Sequence, residues 1–440
     1  MRLKARLLLL ASCAMSYAFG QTHFDQAKLD QYFDKLAQHD KFHGSLAVME
    51  DGQLVYSRSV GYANIEKKVP ASAQTKYRVG SVSKMFTATL SMIAVEQGKL
   101  SLEQPIAKWF PNIAHAERIT VAQLLTHRSG IHNFTDDNAY LQWYTHALNR
   151  QQLLKKIEQG GSDFEPDTKS AYSNANYVLL TIILEKVMGQ SYEALLQKYI
   201  AQPLGLKNTY LGKGTKAGQQ EALSYSYDGD WRVEPSTDLS IPLGAGAIIS
   251  TPEDLAKFCT ALFEGKLVKP ESLKQMMAIR EGYGLGMFTI PFYEHTAYGH
   301  TGGIDGFSAI LTYFTDKKLA YAFTSNGTSY NNNDISLAVL SAFFDKDYSI
   351  PDLKVITIAT EQLQAYVGTY ATTAVPLKIT VTREGNQLKA QATGQPAFPL
   401  SPKADHVFEF SAAGIEMEFK PTENQMVLKQ GGASFVFTKE

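Results

Sequence analysis

The sequence predicts a mixed α/β protein in which one antiparallel sheet is flanked by helices and carries an all-helical lobe, followed by a small C-terminal antiparallel β-barrel. Three observations carry this prediction. Strand signals stand far apart, around Asp51-Gly52 and again from Tyr298 to Ser325. Helical periodicity fills most of the interval between them. From about residue 363 to 440, short alternating runs separated by Glu384-Gly385-Asn386, Ala413-Gly414 and Gly431-Gly432 replace the helices. A sheet with strands so distant in sequence is assembled from separate pieces, and the helices between them form a lobe of their own.

Taken in order, Phe24, Leu29, Tyr32, Phe33 and Leu36 recur at helical spacing over 25–38. The apolar runs Ser45 to Glu50 and Gln53 to Tyr56 flank Asp51-Gly52, a strong hairpin signal. Further helices are predicted at 120–126, 138–158 and 175–200, with Gly189 as a stop signal in the last. Gly244 to Ser250 reads as a close-packed strand, and Thr251-Pro252 as the start of a capped helix. In the stretch from Tyr298 to Ser325, Gly302-Gly303 and Asp305-Gly306 are expected to interrupt the strands. Tyr140, Trp143 and Tyr144 read as core more than as a cleft wall. A boundary is expected near residues 349–354, separating a body over 21–348 from the barrel over 355–440. His406, the barrel's histidine, reads as a surface residue without a partner.

Length and composition are those of a soluble globular chain of more than one domain. The net charge of −1 and the absence of a Lys/Arg cluster argue against nucleic-acid binding. Residues 1–20 read as an export signal: Arg2, Lys4 and Arg6 precede an apolar run that ends at Ala18-Phe19-Gly20. Leu10-Ala11-Ser12-Cys13 also resembles a lipobox, which would make Cys13 a lipid anchor; the apolar run past Cys13 favours plain cleavage. A periplasmic or secreted protein is expected, and no later segment has the ~20 uninterrupted apolar residues of a membrane span. Cys259 would then stand alone, a small buried apolar residue.

Chemistry points to Tyr77-Arg78-Val79-Gly80-Ser81-Val82-Ser83-Lys84. Ser81 follows a turn glycine and opens a helix, where its backbone N–H is free and the helix dipole faces an oxyanion formed beside it. Lys84 lies one turn on, within reach of the serine oxygen. A serine needs a base to become a nucleophile, and a lysine in a dry pocket is lowered toward neutrality for that task. The S-x-x-K pair has only two fixed positions, so context must decide; no other serine here has a lysine at that spacing. Tyr172 and Asn174, in a polar turn at a helix start, supply a candidate proton shuttle and an amide ligand. His300-Thr301-Gly302-Gly303 brings small residues that let a substrate approach, with the Gly303 N–H as a second oxyanion donor. Neither a metal nor another cofactor is called for.

Arg78 to Lys84, Leu124-Leu125-Thr126-His127-Arg128-Ser129-Gly130, Tyr172-Ser173-Asn174, Pro203-Leu204-Gly205-Leu206 and Gly299 to Gly303 occur in a telling order. In that order the chain, over about residues 25–340, resembles the serine β-lactamase-like superfamily of class C β-lactamases, D,D-peptidases, D-aminopeptidases and carboxylesterases. The resemblance implies a β-lactamase/transpeptidase-like fold, with Ser81 as nucleophile and Lys84 and Tyr172 as the proton-transfer pair. It further implies Asn174, His300 and Thr301 as substrate-binding residues, the Ser81 and Gly303 backbones as oxyanion hole, and a structural role for His127. Tyr366-Val367-Gly368-Thr369-Tyr370 resembles the start of lipocalin-like β domains appended to some relatives.

The departure from that pattern is His300, where true β-lactamases and most penicillin-binding proteins carry lysine. A histidine is mostly neutral at pH 7 and pairs poorly with a substrate carboxylate, which speaks against efficient β-lactam hydrolysis. The expected function is an exported serine hydrolase acting through a Ser81 acyl-enzyme on a small peptide or ester, peptidase slightly before carboxylesterase or weak β-lactamase. The alternative of another class is a penicillin- or cell-wall-binding protein that is acylated without turnover.

Overall fold

The computed structural model describes residues 24–353, 358–410 and 413–440. The expected export signal over 1–20, with Cys13, lies outside the described residues, as does Lys354 at the end of the expected boundary. Helix α1 (Gln26–Gln38), capped by the Asp25 side chain, leads into β1 (Phe42–Glu50) and β2 (Gln53–Val60). Asp51 and Gly52 between these strands have φ of 47° and 76°, the left-handed pair that an Asp-Gly hairpin adopts. There follow α2 (Ser83–Glu96), α3 (Arg150–Gly160), α4 (Asn174–Met188), the small hairpin β3 (Tyr225–Tyr227) and β4 (Trp231–Val233), and α5 (Pro252–Phe263). The body ends with β5 (Phe288–Phe292), β6 (His295–Ile304), β7 (Phe307–Phe314), β8 (Leu319–Thr328) and α6 (Asn332–Phe343).

The main sheet has the order β5-β6-β7-β8-β1-β2 and is antiparallel throughout, so the opening hairpin zips onto the last strand of the body. Both faces of β1 are buried, and period-two alternation divides its side chains between two cores. Phe42, Leu46 and Val48 join α1 and α6, with Phe42 stacked on Phe323 at 5.4 Å between ring centroids. Ala47 and Met49 join the core of α2 and α5, where Phe86 and Phe258 stack at 3.7 Å. Helix α2 is buried all round from Ser83 to Ala94, which is why it carries no polar face. Cys259 is fully buried beside it.

The strands β9 (Gly368–Ala371), β10 (Lys378–Glu384), β11 (Gln387–Ala392), β12 (Phe398–Ala404), β13 (Val407–Phe410), β14 (Ile415–Lys420), β15 (Gln425–Gln430) and β16 (Ala433–Lys439) form a closed barrel in sequence order. Alternate residues such as Ile379 and Val381, or Met417 and Phe419, fill its interior. The β3–β4 hairpin bridges barrel and body: Gly229 at its tip lies beside the Gln387 side chain, and Tyr225 abuts Gly306 in the β6–β7 turn. Trp231 anchors it, donating to Asp40 Oδ2 at 2.7 Å and packing edge-on against His43.

Several expectations need correction. The strand expected over Gly244 to Ser250 is a 3₁₀ turn, Leu243–Ala245, followed by the short strand Ile248–Ser250. Gly302 and Gly303 lie inside β6 and do not interrupt it. The helix over 138–158 is a short 3₁₀ turn, Asn138–Gln142, then an irregular stretch; α3 starts only at Arg150 because Asn149 and Gln152 close a reciprocal capping box there. The helix over 175–200 ends at Met188, where Gly189 takes a left-handed φ of 66°, and a new short helix begins after Ser191. His406 is exposed but not alone: its Nδ1 lies 2.8 Å from the Tyr366 hydroxyl.

Candidate active site

Ser81 sits in the 3₁₀ turn Gly80–Val82 that feeds directly into α2, two residues before the first residue of the α-helix. Gly80 makes the turn possible in two ways. Its φ of 51° is left-handed, and a side chain there would meet the Gly303 backbone within 3 Å. Strand β6 pairs with β5 only as far as Gly299, so the edge beyond it is free of a neighbouring strand and lies against this turn. A Cβ at Gly302 would stand 2.1 Å from the Val79 carbonyl oxygen. Glycine at these positions brings the two backbones together.

Lys84 Nζ lies 2.9 Å from Ser81 Oγ, 2.8 Å from Asn174 Oδ1 and 2.8 Å from the Ala245 carbonyl oxygen. The Tyr172 hydroxyl donates to Ser81 Oγ at 2.6 Å. Asn174 is held in turn: its backbone N–H donates to Asn133 Oδ1 at 2.9 Å and its side-chain amide to Thr135 Oγ1 at 3.1 Å. Lys84 is wholly buried, with its ammonium end over the Tyr172 ring at 4.8 Å, and burial drives its pKa well below the ordinary lysine value. A neutral amine has two hydrogens and one lone pair. Asn174 Oδ1 and the Ala245 carbonyl can only accept, so they take both hydrogens and leave the lone pair facing the Ser81 hydroxyl. Burial also pushes the Tyr172 phenol above its ordinary value, against the opposing effect of its bond to Ser81.

His127 stacks obliquely on Tyr172, with ring centroids 4.5 Å apart, and its Nδ1 accepts the Ser173 backbone N–H at 3.1 Å. It thus fixes the segment that carries Tyr172 and Asn174. His300, in the middle of β6, packs on Phe288 at 4.8 Å between ring centroids. Burial lowers its pKa to about 3, with Lys84 adding to the effect. Its imidazole is therefore expected to show no titration between about pH 5 and 8 when followed by NMR; a midpoint near the ordinary ~6.5 would contradict the buried, neutral ring. Because the unfolded chain binds a proton there that the folded chain refuses, stability is expected to fall as pH drops from that ordinary value toward 3.

Two cavities meet at Ser81. One, of about 360 Å³, is lined among others by Thr135, Tyr140, Tyr144, Asn174, Glu234 and Gly303. The other, of about 610 Å³, opens past Tyr172, Tyr283, His300 and Thr301. All the residues named from the sequence as candidates, Ser81, Lys84, Tyr172, Asn174, His300, Thr301 and Gly303, lie in or directly behind these walls. Tyr140 and Tyr144 line the smaller cavity, contrary to the expectation that this aromatic group is core more than cleft wall, although Tyr140 and Trp143 also pack against the hydrophobic core. The sequence reading missed Asn133, Thr135, Glu234 and the Ala245 carbonyl. A backbone acceptor leaves no mark in a sequence; Asn133 and Thr135 lie close after the Leu124 to Gly130 stretch, the one signal that pointed to them.

The Beta-lactamase family model matches residues 29–344. Penicillin-binding protein 4* of Bacillus subtilis (strain 168) is 27% identical over 427 residues, covering 89% of this chain and 93% of that one. Teichoic acid D-alanine hydrolase of Staphylococcus aureus (strain MRSA252) is 28% identical over 298 residues, 66% of this chain and 71% of its own length. Among solved structures, the D-amino acid amidase from Ochrobactrum anthropi SV3 complexed with L-phenylalanine amide superposes with a TM-score of 0.64 at 26% identity, over 72% of this chain and 98% of that one. With most of its length matched by the family model, and a serine, lysine and tyrosine in mutual contact at the meeting of two cavities, the chain belongs to the β-lactamase family of serine hydrolases.

Proposed function

We propose that this chain is an exported hydrolase that cleaves small aminoacyl or peptidyl amides or esters through an acyl-enzyme on Ser81. The observation that carries the reading is the bracketing of Ser81 Oγ by Lys84 Nζ at 2.9 Å and the Tyr172 hydroxyl at 2.6 Å, both buried. Their environments push the two groups in opposite directions, the lysine toward the free amine and the tyrosine toward the neutral phenol, and so assign the roles of base and acid.

Neutral Lys84 takes the Ser81 proton as Oγ bonds to the substrate carbonyl carbon. The oxyanion that forms lies against the Ser81 and Gly303 backbone N–H groups, while Asn174 holds the acyl portion. The carbonyl carbon then loses its bond to the leaving nitrogen or oxygen, which leaves with the Tyr172 proton; the proton on Lys84 restores the phenol. Water repeats the sequence on the ester bond to Ser81, giving up a proton to the amine and releasing the acid. His300, neutral and buried, offers no cation for a substrate carboxylate, which favours amide and ester substrates over β-lactams. The names of the amidase and of the D-alanine hydrolase point the same way, toward D-aminoacyl substrates.

Incubating the purified protein and its Ser81→Ala variant with a phenyl ester, a D-alanyl anilide and a β-lactam tests the proposal. Ser81-dependent turnover of the ester or the anilide, with a transient adduct on Ser81 seen by mass spectrometry, is expected. Activity shared by both proteins would reject it, and a permanent adduct would favour the acylated binding protein. Accumulation of the protein outside the cytoplasm, with a new N-terminus near residue 21, is the matching test of export.

A further inference from the structure

The charge facing Ser81 can be followed residue by residue through the two cavities. In the larger one His300 and Tyr172 are neutral, and Glu281 is tied to Arg128 in an ion pair. In the smaller one burial raises the Tyr140 phenol to about 12 and the Tyr144 phenol also upward, so both are neutral. Asp305 is occupied: its side chain is 1% exposed, accepts the Thr237 N–H and hydroxyl at 3.0 and 2.6 Å, and faces the Arg78 guanidinium at 3.4 Å. Among the described residues, no lysine or arginine lines either cavity.

Glu234 remains. It follows β4 at the base of the β3–β4 hairpin, where its backbone N–H donates to the Ser224 carbonyl at 2.9 Å and fixes its place on the wall. It is half-buried, and no hydrogen bond or ion pair engages its carboxylate among the described residues. That carboxylate helps raise the pKa of both Tyr144 and Asp305, which places its charge inside the cavity's field. The smaller cavity therefore presents one uncompensated negative charge, in the same 360 Å³ that holds Asn174 and Ser81. Ser81, Asn174 and Glu234 line this one cavity, so an acyl group bound beside Ser81 shares it with the Glu234 carboxylate.

We infer that Glu234 selects the charge of the acyl group, favouring an acyl donor that carries an ammonium close to its carbonyl and disfavouring one that carries a carboxylate. This rests on the proposed hydrolase activity and names its substrate class: aminoacyl esters and amides with a free amine. An ammonium donates charge-assisted hydrogen bonds to the free carboxylate, whereas a second carboxylate in a confined, partly dry space meets like charge with no cation to offset it.

The test compares phenyl esters of D-alanine, propionic acid and succinic acid, nearly matched in size near the carbonyl, at a pH where the amine is protonated. With the full-length protein, kcat/KM for the D-alanyl ester is expected to exceed that for the propionyl ester, and the succinyl ester to be poorest. Glu234→Gln should lower the D-alanyl to propionyl ratio about tenfold, the scale of one charge-assisted contact, and Glu234→Lys should turn the preference toward the succinyl ester. Inhibition of the unmutated protein, stronger by D-alaninamide than by propionamide, checks the same point without any substitution. Equal ratios in all three proteins, or equal inhibition by the two amides, would overturn the inference. Ser81-dependent hydrolysis of the propionyl ester in that event leaves the hydrolase reading standing; absence of Ser81-dependent hydrolysis of every ester overturns both.

Discussion

Replacing Lys84 by methionine is expected to lower kcat/KM by about 10⁴-fold or more, the scale at which removal of a nucleophile's base is felt in hydrolases whose groups act as a unit. Methionine fills much the same buried space and takes away only the amine. The residual rate should also lose its pH dependence: in the native protein kcat/KM rises with pH as the neutral fraction of Lys84 grows, and in the variant that inflection is absent. Stability gives a second readout whose sign follows from the lowered pKa. Between the folded value and the ordinary 10.5, the unfolded chain binds a proton that the folded chain does not, so native stability rises with pH across that window. The melting temperature of the native protein should therefore gain on that of Lys84→Met as the buffer is made more alkaline. A variant that keeps its rate, or a melting difference that moves the other way, would show Lys84 to be a charged structural residue and not the base.

Tyr172→Phe is expected to lower turnover of an anilide by about 10²- to 10³-fold, within the range of a lost general acid. The ring survives in the variant, and with it the packing on His127 and the face beneath Lys84. Only the hydroxyl that donates to Ser81 Oγ is gone. A p-nitrophenyl ester, whose leaving oxygen departs without a proton, should suffer less than the anilide. Equal losses on both would mean that the phenol orients Ser81 and does not protonate the leaving atom; no loss on either would remove it from the mechanism.

Much of this arrangement is legible in the sequence because the chemistry needs side chains of particular types close in the chain. Ser81 and Lys84 stand one helical turn apart, and Tyr172 and Asn174 flank Ser173, the residue that caps α4. The hairpin at Asp51-Gly52 and the barrel strands were legible for a similar reason, since turn residues and alternation are local signals. What local signals do not reach is whatever depends on a distant partner. Gly302 and Gly303 look like strand breakers and are instead the flat surface against which the Gly80 turn rests. Tyr140 and Tyr144 have the composition of core, and only the position of the irregular stretch before Asn149 puts them on a cavity wall. Glu234 looks like any surface glutamate until the hairpin that carries it is seen to lie against the β6–β7 turn.

The three neighbours of the Lys84 amine come from three separate stretches of chain, at Ser81, Asn174 and Ala245. Its low basicity is thus a property of their joint closure around it and of no one of them. Any loosening that admits water to that spot returns the amine to its ordinary basicity and protonates it, well before the sheet or helices come apart. Catalysis in such a protein acts as a gauge of tight packing: on gentle heating or in dilute denaturant, the reaction is lost ahead of the spectroscopic signs of unfolding.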